Sequence, residues 1–335
     1  MSADTSLAEP SARAGQEKAD RTARRRSALL RPGAPWQLPV VIVLVAIGSA
    51  LVTPGFLAAD NIRAILITSS VTGVVAVSMT AVTLSGHFFS LSTEQTALLG
   101  AMLFAWLVGS DTPVLLALLV TLAVVALTGV VQGVVVAIGL NPIITTLAAG
   151  SVIGGLVAGI SHNENIMTGD ASLSWLGTAQ PLGIPAVVII FALVTILCTF
   201  VSSGTVIGRQ TLLTGANSKA AVLAGVPVKV VAVVVFAMVA TGSGLAGIMT
   251  ASTLGYASTA MFATLTFDVI AAVLVGGTSI QGGSGSPLRS AGGAILISEI
   301  NSLMLLNNVT SGMRMLVQGA LVLAVIALLH TRRTR

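Results

Sequence analysis

The chain has 335 residues, of which 55% are hydrophobic and 8% are charged, and its mean hydropathy is +1.00. This composition excludes a water-soluble domain and predicts an all-α integral membrane protein. A transmembrane helix needs roughly 20 apolar residues, which leaves room for about ten spans and excludes a large soluble domain such as an ATPase. The net charge of +5 comes from basic residues near the ends and in a few loops, so no nucleic-acid-binding face is predicted.

Three regions follow in chain order. Residues 1–35 are predicted to be a disordered basic cytosolic tail, residues 36–330 a transmembrane domain, and residues 331–335 a basic cytosolic C-terminus. The apolar run that begins at Trp36 is too long for a signal peptide and predicts an uncleaved first span. Charge-poor stretches place ten spans at residues 37–58, 62–84, 95–110, 114–139, 142–160, 182–203, 229–251, 265–280, 288–306 and 313–330.

The basic residues give these spans an orientation. With a cytosolic N-terminus, fourteen of the sixteen Lys and Arg residues fall in the N-terminal tail, the inward loops or the C-terminus. Arg63 and Arg314 are the exceptions. This asymmetry predicts that both termini are cytosolic.

A short internal repeat relates two halves of the chain. The sequence MTAVTL at Met79–Leu84 ends the second span, and MTASTL at Met249–Leu254 ends the seventh. The two spans run in opposite directions, as in transporters built from inverted-topology halves. The third and eighth spans are the weakest and occupy equivalent places, and such paired short segments indicate a translocation path. A chance match between two short Ala/Thr/Leu-rich stretches is the alternative.

The longest inward loop, residues 204–228, carries the signals of a short helix. Asn217 or Ser218 can cap its N-terminus, Gly225 can end it in the left-handed conformation, and Pro227 prevents its continuation. A helix of about seven or eight residues is marginal alone in water, so it needs a surface to pack on. A cytosolic partner subunit is one such surface, and the lipid headgroups are the other.

Three motifs resemble those of bacterial ABC-transporter permeases of the ribose/galactose/xylose type. Residues 208–226, which contain Thr214-Gly-Ala-Asn217, are similar to the coupling loop of that family. Residues 267–286, FDVIAAVLVGGTSIQGGSGS, are similar to its glycine-rich stretch, and residues 140–147, LNPIITTL, resemble its Asn-Pro-Phe-Ile-x-Thr-Leu segment. The resemblance runs from about residue 60 to residue 330, with the three motifs in the family's order.

This resemblance implies a permease subunit of the bacterial inner membrane that imports a monosaccharide or a related small polar solute and has no ATPase site or cofactor of its own. The implied partners are cytosolic ATPase subunits, which would hold ATP and Mg²⁺, a second permease copy or paralogue, and a periplasmic or lipid-anchored solute-binding protein. The motif positions assign coupling to the ATPase to Arg209, Gly215, Asn217, Ala221, Leu223 and Gly225.

The chain departs from the family pattern after the second span. The family has Gly-Gly-Ile-Asp-Leu-Ser-Val-Gly there, whereas this sequence has Ser85-Gly-His-Phe-Phe-Ser-Leu-Ser92, with Phe88 in place of the acid. The departure predicts a divergent member with an altered solute, and it leaves open whether two copies or two paralogues pair.

Candidates for the translocation path come from polar and aromatic residues at span ends and within spans. Burying a charge in lipid is costly, so acids within spans are functional candidates by default. The alternatives are an interfacial or structural role for Asp268, and helix packing for Glu299 and Asn301. Asn141 can instead end a span, and the aromatic side chains can instead contact lipid or core. The candidates are Phe88, Phe89, Asn141, Thr145, Tyr256, Asp268, Glu299 and Asn301.

Other functional classes are weighed against a permease that depends on a partner ATPase. The three histidines are scattered and the single cysteine, Cys198, lies in an apolar run, so no metal site is expected. An ion-coupled secondary transporter that uses Glu299 or Asp268 is one alternative, and a passive channel is another. The docking-like loop and the shortage of acids within spans favour the ABC permease.

Overall fold

In a computed structural model of the chain, residues 37–168 and 183–331 are described. The predicted tail of residues 1–35 and residues 332–335 of the predicted C-terminus lie outside them. The described residues form twelve helices and two short strands: α1 Gln37–Val52, α2 Ala59–Leu84, α3 Thr93–Gly109, α4 Val114–Ala137, α5 Pro142–Ser161, β1 Ile166–Met167, α6 Ala186–Gly204, α7 Val206–Ala216, α8 Ser218–Leu223, α9 Val228–Leu254, β2 Tyr256–Ala257, α10 Leu265–Val275, α11 Pro287–Leu306 and α12 Ser311–Thr331.

A helix lies at each of the ten predicted span positions, and the prediction of a mostly helical membrane protein is confirmed. Five helices, α2, α4, α5, α6 and α9, are long and apolar enough to cross a bilayer by themselves. Shorter apolar stretches lie in α1, α10 and α12. The sequence-based prediction placed a single short helix in the loop after the sixth span, whereas the structure has two, α7 and α8.

Helices α2 and α9 form the centre of the bundle. Of their most apolar 18-residue stretches, 72% and 67% of the residues are buried, against 22–28% in α4, α5 and α6. The outer helices turn leucines and valines outward, as expected where lipid replaces water around them. The two central helices therefore position the polar groups of the interior.

The bundle has two distinct ends. At the loop-helix end, α7 lies beside the end of α2 and the glycine-rich turn between α10 and α11, and α8 packs on α7 and α9. At the opposite strand end, β1 and β2 pair antiparallel, and the Thr168 N–H donates to the Gly255 carbonyl at 3.1 Å. The repeated segments therefore lie at opposite ends, since Leu84 reaches the loop-helix end and Leu254 reaches the strand end.

Helix packing follows the same internal relation. Helix α2 packs extensively on α11, and α9 packs extensively on α4. When the helices α2–α5 are matched in order to α9–α12, α2 corresponds to α9 and α4 to α11, so each of these two contacts becomes the other. The contacts of α3 with α5 and of α10 with α12 form a second exchanging pair. This pattern is the one that two inverted halves would produce.

The short helices α3 and α10 begin inside the bundle. The chain folds back after α2, so that the Ser90 N–H contacts the Met79 sulfur at 3.3 Å, more than a turn before the end of α2. The Thr93 and Thr266 hydroxyls, in the first turns of α3 and α10, lie 3.0 Å apart. Two short helices that enter from opposite ends thus meet at their N-termini in the interior.

Candidate functional site

The loop helices α7 and α8 are built by local capping. The Thr205 side chain accepts a hydrogen bond from the Gly208 N–H and caps α7, and Asn217 Oδ1 accepts one from the Ala220 N–H and caps α8. Helix α8 ends before Gly225, whose φ of +78° is left-handed. The predicted cap at Asn217 and the predicted stop at Gly225 are confirmed.

Helix α8 presents an apolar side chain to its surroundings. Ala221 is buried and anchors the helix, whereas Leu223 is 90% exposed, more than any other large apolar side chain of the described residues. Val222 and Arg209 are also exposed. Leu223 and Val222 together give α8 an exposed apolar face.

Three distant chain segments meet backbone to backbone beneath these helices. Gly215 of α7 packs against the end of α2 and the glycine-rich turn, where a Cβ would overlap the Leu84 carbonyl oxygen and lie 2.6 Å from Gly283 N. The Gly283 N–H donates to the Leu84 carbonyl at 3.0 Å. We call this contact of residues 84–86, 215–216 and 282–283 the glycine junction. It joins α7 directly to the central helix α2.

A cavity of about 260 Å³ lies between α2, the end of α9 and the start of α10, in the half of the bundle nearer the strand end. Its polar lining consists of five threonines and one carboxylate, and the rest is apolar, including Phe262 and Leu265. The polar residues are Thr68, Thr72, Thr250, Thr253, Thr264 and Asp268.

The Asp268 carboxylate is held by three helices. Its Oδ1 accepts hydrogen bonds from Asn301 Nδ2 at 3.1 Å and Gln318 Nε2 at 2.7 Å, and its Oδ2 accepts one from Thr264 at 3.1 Å. Gln318 Nε2 also lies 2.9 Å from Asn301 Oδ1. These contacts compensate a charge that would otherwise be costly to bury.

Comparisons with known proteins agree with this architecture. Residues 61–326 match the family described as branched-chain amino acid transport system, permease component. The chain belongs to this permease family. It is 33% identical over 291 residues to the ribose import permease protein of Haemophilus influenzae, with 85% of this chain and 90% of the relative covered. No solved structure matches it significantly.

Further relatives support the assignment. The permease is 28% identical over 310 residues to the L-arabinose ABC transporter permease protein of Azospirillum brasilense, covering 90% of this chain and 91% of the relative. It is 31% identical over 292 residues to the ribose import permease protein of Bacillus subtilis, covering 86% and 90%. The family and the apolar helices together place the permease in the bacterial inner membrane.

The structure brings together only some of the predicted path residues. Asp268 and Asn301 are hydrogen-bonded at the cavity. Glu299, only two residues from Asn301, is buried on another side of α11 because consecutive helical residues are rotated by about 100°. It does not join the hydrogen bonds around Asp268 that the structure describes.

The remaining candidates lie elsewhere. Phe89 is buried in the core and meets Phe88, which is 40% exposed, edge to face. Asn141 is exposed and caps α5, and Thr145 is buried one turn further along that helix. Tyr256 is half-buried in β2. A path role for each of these residues stays a prediction.

The lining threonines and Gln318 were not among the predicted site residues. The repeat gave a signal for two of them, since Thr250 and Thr253 lie within the repeated segment Met249–Leu254.

Replacing Gln318 with methionine is expected to destabilise the permease by about 1–2 kcal/mol, because Asp268 loses its shortest hydrogen bond. Thermal unfolding in detergent measures the loss. In an Asp268→Asn background the same substitution is expected to destabilise the permease less, since the neutral side chain at position 268 depends less on the amide donor of Gln318. Equal costs in the two backgrounds would show that Gln318 does not stabilise the carboxylate.

His87, in the connection from α2 to α3, is expected to make stability depend on pH. Its Nδ1 lies 2.8 Å from Ser85 Oγ, its ring meets Phe236 edge-on, and burial lowers the pKa of His87 below its ordinary 6.5. The folded state therefore favours the neutral ring. Its contribution to stability is present above pH 6.5 and is lost as the pH falls below that value, because the unfolded chain binds the proton more readily.

The unfolding temperature in detergent, compared between about pH 7.5 and about pH 5.5, tests this dependence. Wild-type permease should lose more stability over this interval than a His87→Gln variant, whose side chain keeps a polar group but does not titrate. Identical losses in the two proteins would rule out His87 as the source.

Proposed function

We propose that this permease is the membrane-spanning subunit of an ATP-driven importer that moves a monosaccharide or a related small polar solute into the cytoplasm. The observation that carries the proposal is the exposed Leu223 on α8, which is linked through the glycine junction to the central helix α2. A partner that changes shape on binding ATP can move α8, and the junction passes this movement to the helix that lines the cavity.

The proposed topology has ten spans in two inverted halves, with both termini in the cytosol. In support, Arg209, Lys219, Lys229 and Arg289 all lie at the loop-helix end of the bundle, the end that would face the cytosol. The exchanging helix pairs and the opposed repeats support the two halves. The permease itself would carry no ATPase site.

The proposed partners follow from the family and from the loop helices. They are two cytosolic ATPase subunits, which hold ATP and Mg²⁺, a second permease copy or paralogue, and a periplasmic or lipid-anchored solute-binding protein. The Leu223 surface would seat an ATPase subunit, because apolar side chains at the centre of a contact surface supply most of its affinity.

The proposed solute class is based on the relatives and on the lining of the cavity. The family description names branched-chain amino acids, whereas the named relatives are ribose and L-arabinose permeases. The cavity supports a sugar, because its polar lining consists of hydroxyl groups and one carboxylate, and these suit the hydroxyl groups of a sugar.

Reconstitution in liposomes tests the proposal. The permease with its ATPase and binding-protein partners should accumulate a monosaccharide only when ATP is supplied on the ATPase side. Uptake by the permease alone, driven by an H⁺ or Na⁺ gradient, would instead assign it to secondary transporters. Passive equilibration by the permease alone would identify a channel.

A further inference from the structure

The size of the cavity limits what it can hold. A cavity of about 260 Å³ has room for one small solute such as a pentose or hexose, which has roughly ten to twelve non-hydrogen atoms.

Four of the five threonines that line the cavity donate their hydroxyl protons to other groups. Thr250 Oγ1 donates to the Ala246 carbonyl at 2.9 Å, and Thr253 Oγ1 donates to the Met249 carbonyl at 2.7 Å. Thr68 makes the same kind of bond to the backbone of its own helix, and the Thr264 hydroxyl donates to Asp268. Each of these four oxygens keeps lone pairs that can accept a hydrogen bond from a solute in the cavity.

The carboxylate adds further acceptor capacity. Asp268 Oδ1 receives two side-chain amide donors, whereas the described bonds give Oδ2 only the Thr264 hydroxyl. Each carboxylate oxygen has about two lone pairs, so Oδ2 can accept a further hydrogen bond. Oδ1 is thus occupied by the two amide donors, and Oδ2 is the oxygen that remains for a solute.

We propose that this cavity is a binding site for one neutral polyhydroxylated solute, and that its acceptor-rich wall selects the solute by the hydroxyl groups that it donates. The proposal rests on the importer function and assigns the place and the basis of selection. Phe262 and Leu265 contact the C–H face of the solute. We expect a zwitterionic amino acid to bind more weakly, because its carboxylate would face oxygen acceptors.

Transport by the reconstituted importer gives the first test. The maximal uptake rate is measured at saturating binding protein. This rate reports on the permease, whereas the KM reports mainly on delivery of the solute by the binding protein. Thr250→Val and Thr253→Val keep the side-chain shape but remove an acceptor, and each should slow uptake of ribose, arabinose or galactose by about two- to tenfold. Asp268→Asn should slow it by about ten- to a hundredfold.

A matched control lies on the same helix. Thr241 Oγ1 donates to the Ala237 carbonyl at 2.8 Å, but Thr241 does not line the cavity, so Thr241→Val should change the rate less than about twofold. Unchanged rates in the cavity variants, or equal losses in Thr241→Val, would overturn the proposed site. Absence of ATP-driven uptake by the wild-type importer would instead contradict the proposed function.

Thiol labelling of the purified permease tests the site without transport. Thr253→Cys is placed in a Cys198→Ser background, which removes the single native cysteine. Labelling at position 253 should be slowed at least threefold by millimolar ribose or galactose and left unchanged by leucine. Equal labelling rates with and without sugar, or protection by leucine instead, would overturn the proposal even where the importer transports normally.

Discussion

Permease carrying Gly215→Ala is expected to lose ATP-driven uptake almost completely. An added Cβ would overlap the Leu84 carbonyl oxygen and lie 2.6 Å from Gly283 N, and all of these atoms belong to backbone that cannot rotate away. The junction must open, which breaks the hydrogen bond from Gly283 N–H to Leu84 and costs about 1–3 kcal/mol of packing energy. Movement of α7 then no longer reaches α2.

Uptake and ATP hydrolysis are measured in parallel on the reconstituted importer. Gly215→Ala should keep a fraction of the ATPase activity while uptake falls by more than about tenfold, since the ATPase can still bind α8. The control is Gly159→Ala on α5, where a Cβ meets open space and uptake should be unchanged. Full uptake by Gly215→Ala at wild-type thermal stability would show that the junction transmits nothing.

Leu223→Asp is expected to abolish ATPase docking without harming the fold of the permease. The side chain is 90% exposed, so the substitution removes almost no packing within the permease itself. At the proposed docking surface it replaces an apolar anchor with a charge, and such central contacts contribute about 2 kcal/mol or more, equivalent to about thirtyfold in affinity.

Co-purification of the ATPase subunit with tagged permease measures docking, and membrane yield measures insertion. The control is Leu57→Asp, which changes a leucine that is 61% exposed between α1 and α2, at the opposite end of the bundle. That variant should retain the ATPase fully. Normal co-purification with Leu223→Asp would remove α8 from the docking surface.

The positions of most helices could be predicted because they depend on local composition. Each helix of the bundle occupies a charge-poor stretch, and α8 has its cap at Asn217 and its stop at Gly225. Helix α7 was missed for the opposite reason: its eleven residues are capped by Thr205 but contain no long apolar run. Its stability comes from packing on α2, α6 and α9, which no local pattern reports.

The site was predictable only in part. Asp268 and Asn301 were candidates because polar groups within spans are conspicuous, and the structure brings them within 3.1 Å. Threonines are common in membrane helices and attract no notice singly. Their arrangement around one cavity arises because α2, α9 and α10 converge, with the start of α10 inside the bundle. Such convergence depends on tertiary packing and not on any single segment.

The glycine junction also affects how the proposed ATPase contact could be moved between related permeases. Gly215 packs closely against residues 84–86 and 282–283, so a chimera that exchanges residues 204–228 alone places a foreign loop against the surface of a different permease. We expect such a chimera to acquire the new ATPase specificity only when residues 84–86 and 282–283 are exchanged as well. The unit to transfer would then consist of three parts that lie up to about two hundred residues apart in sequence.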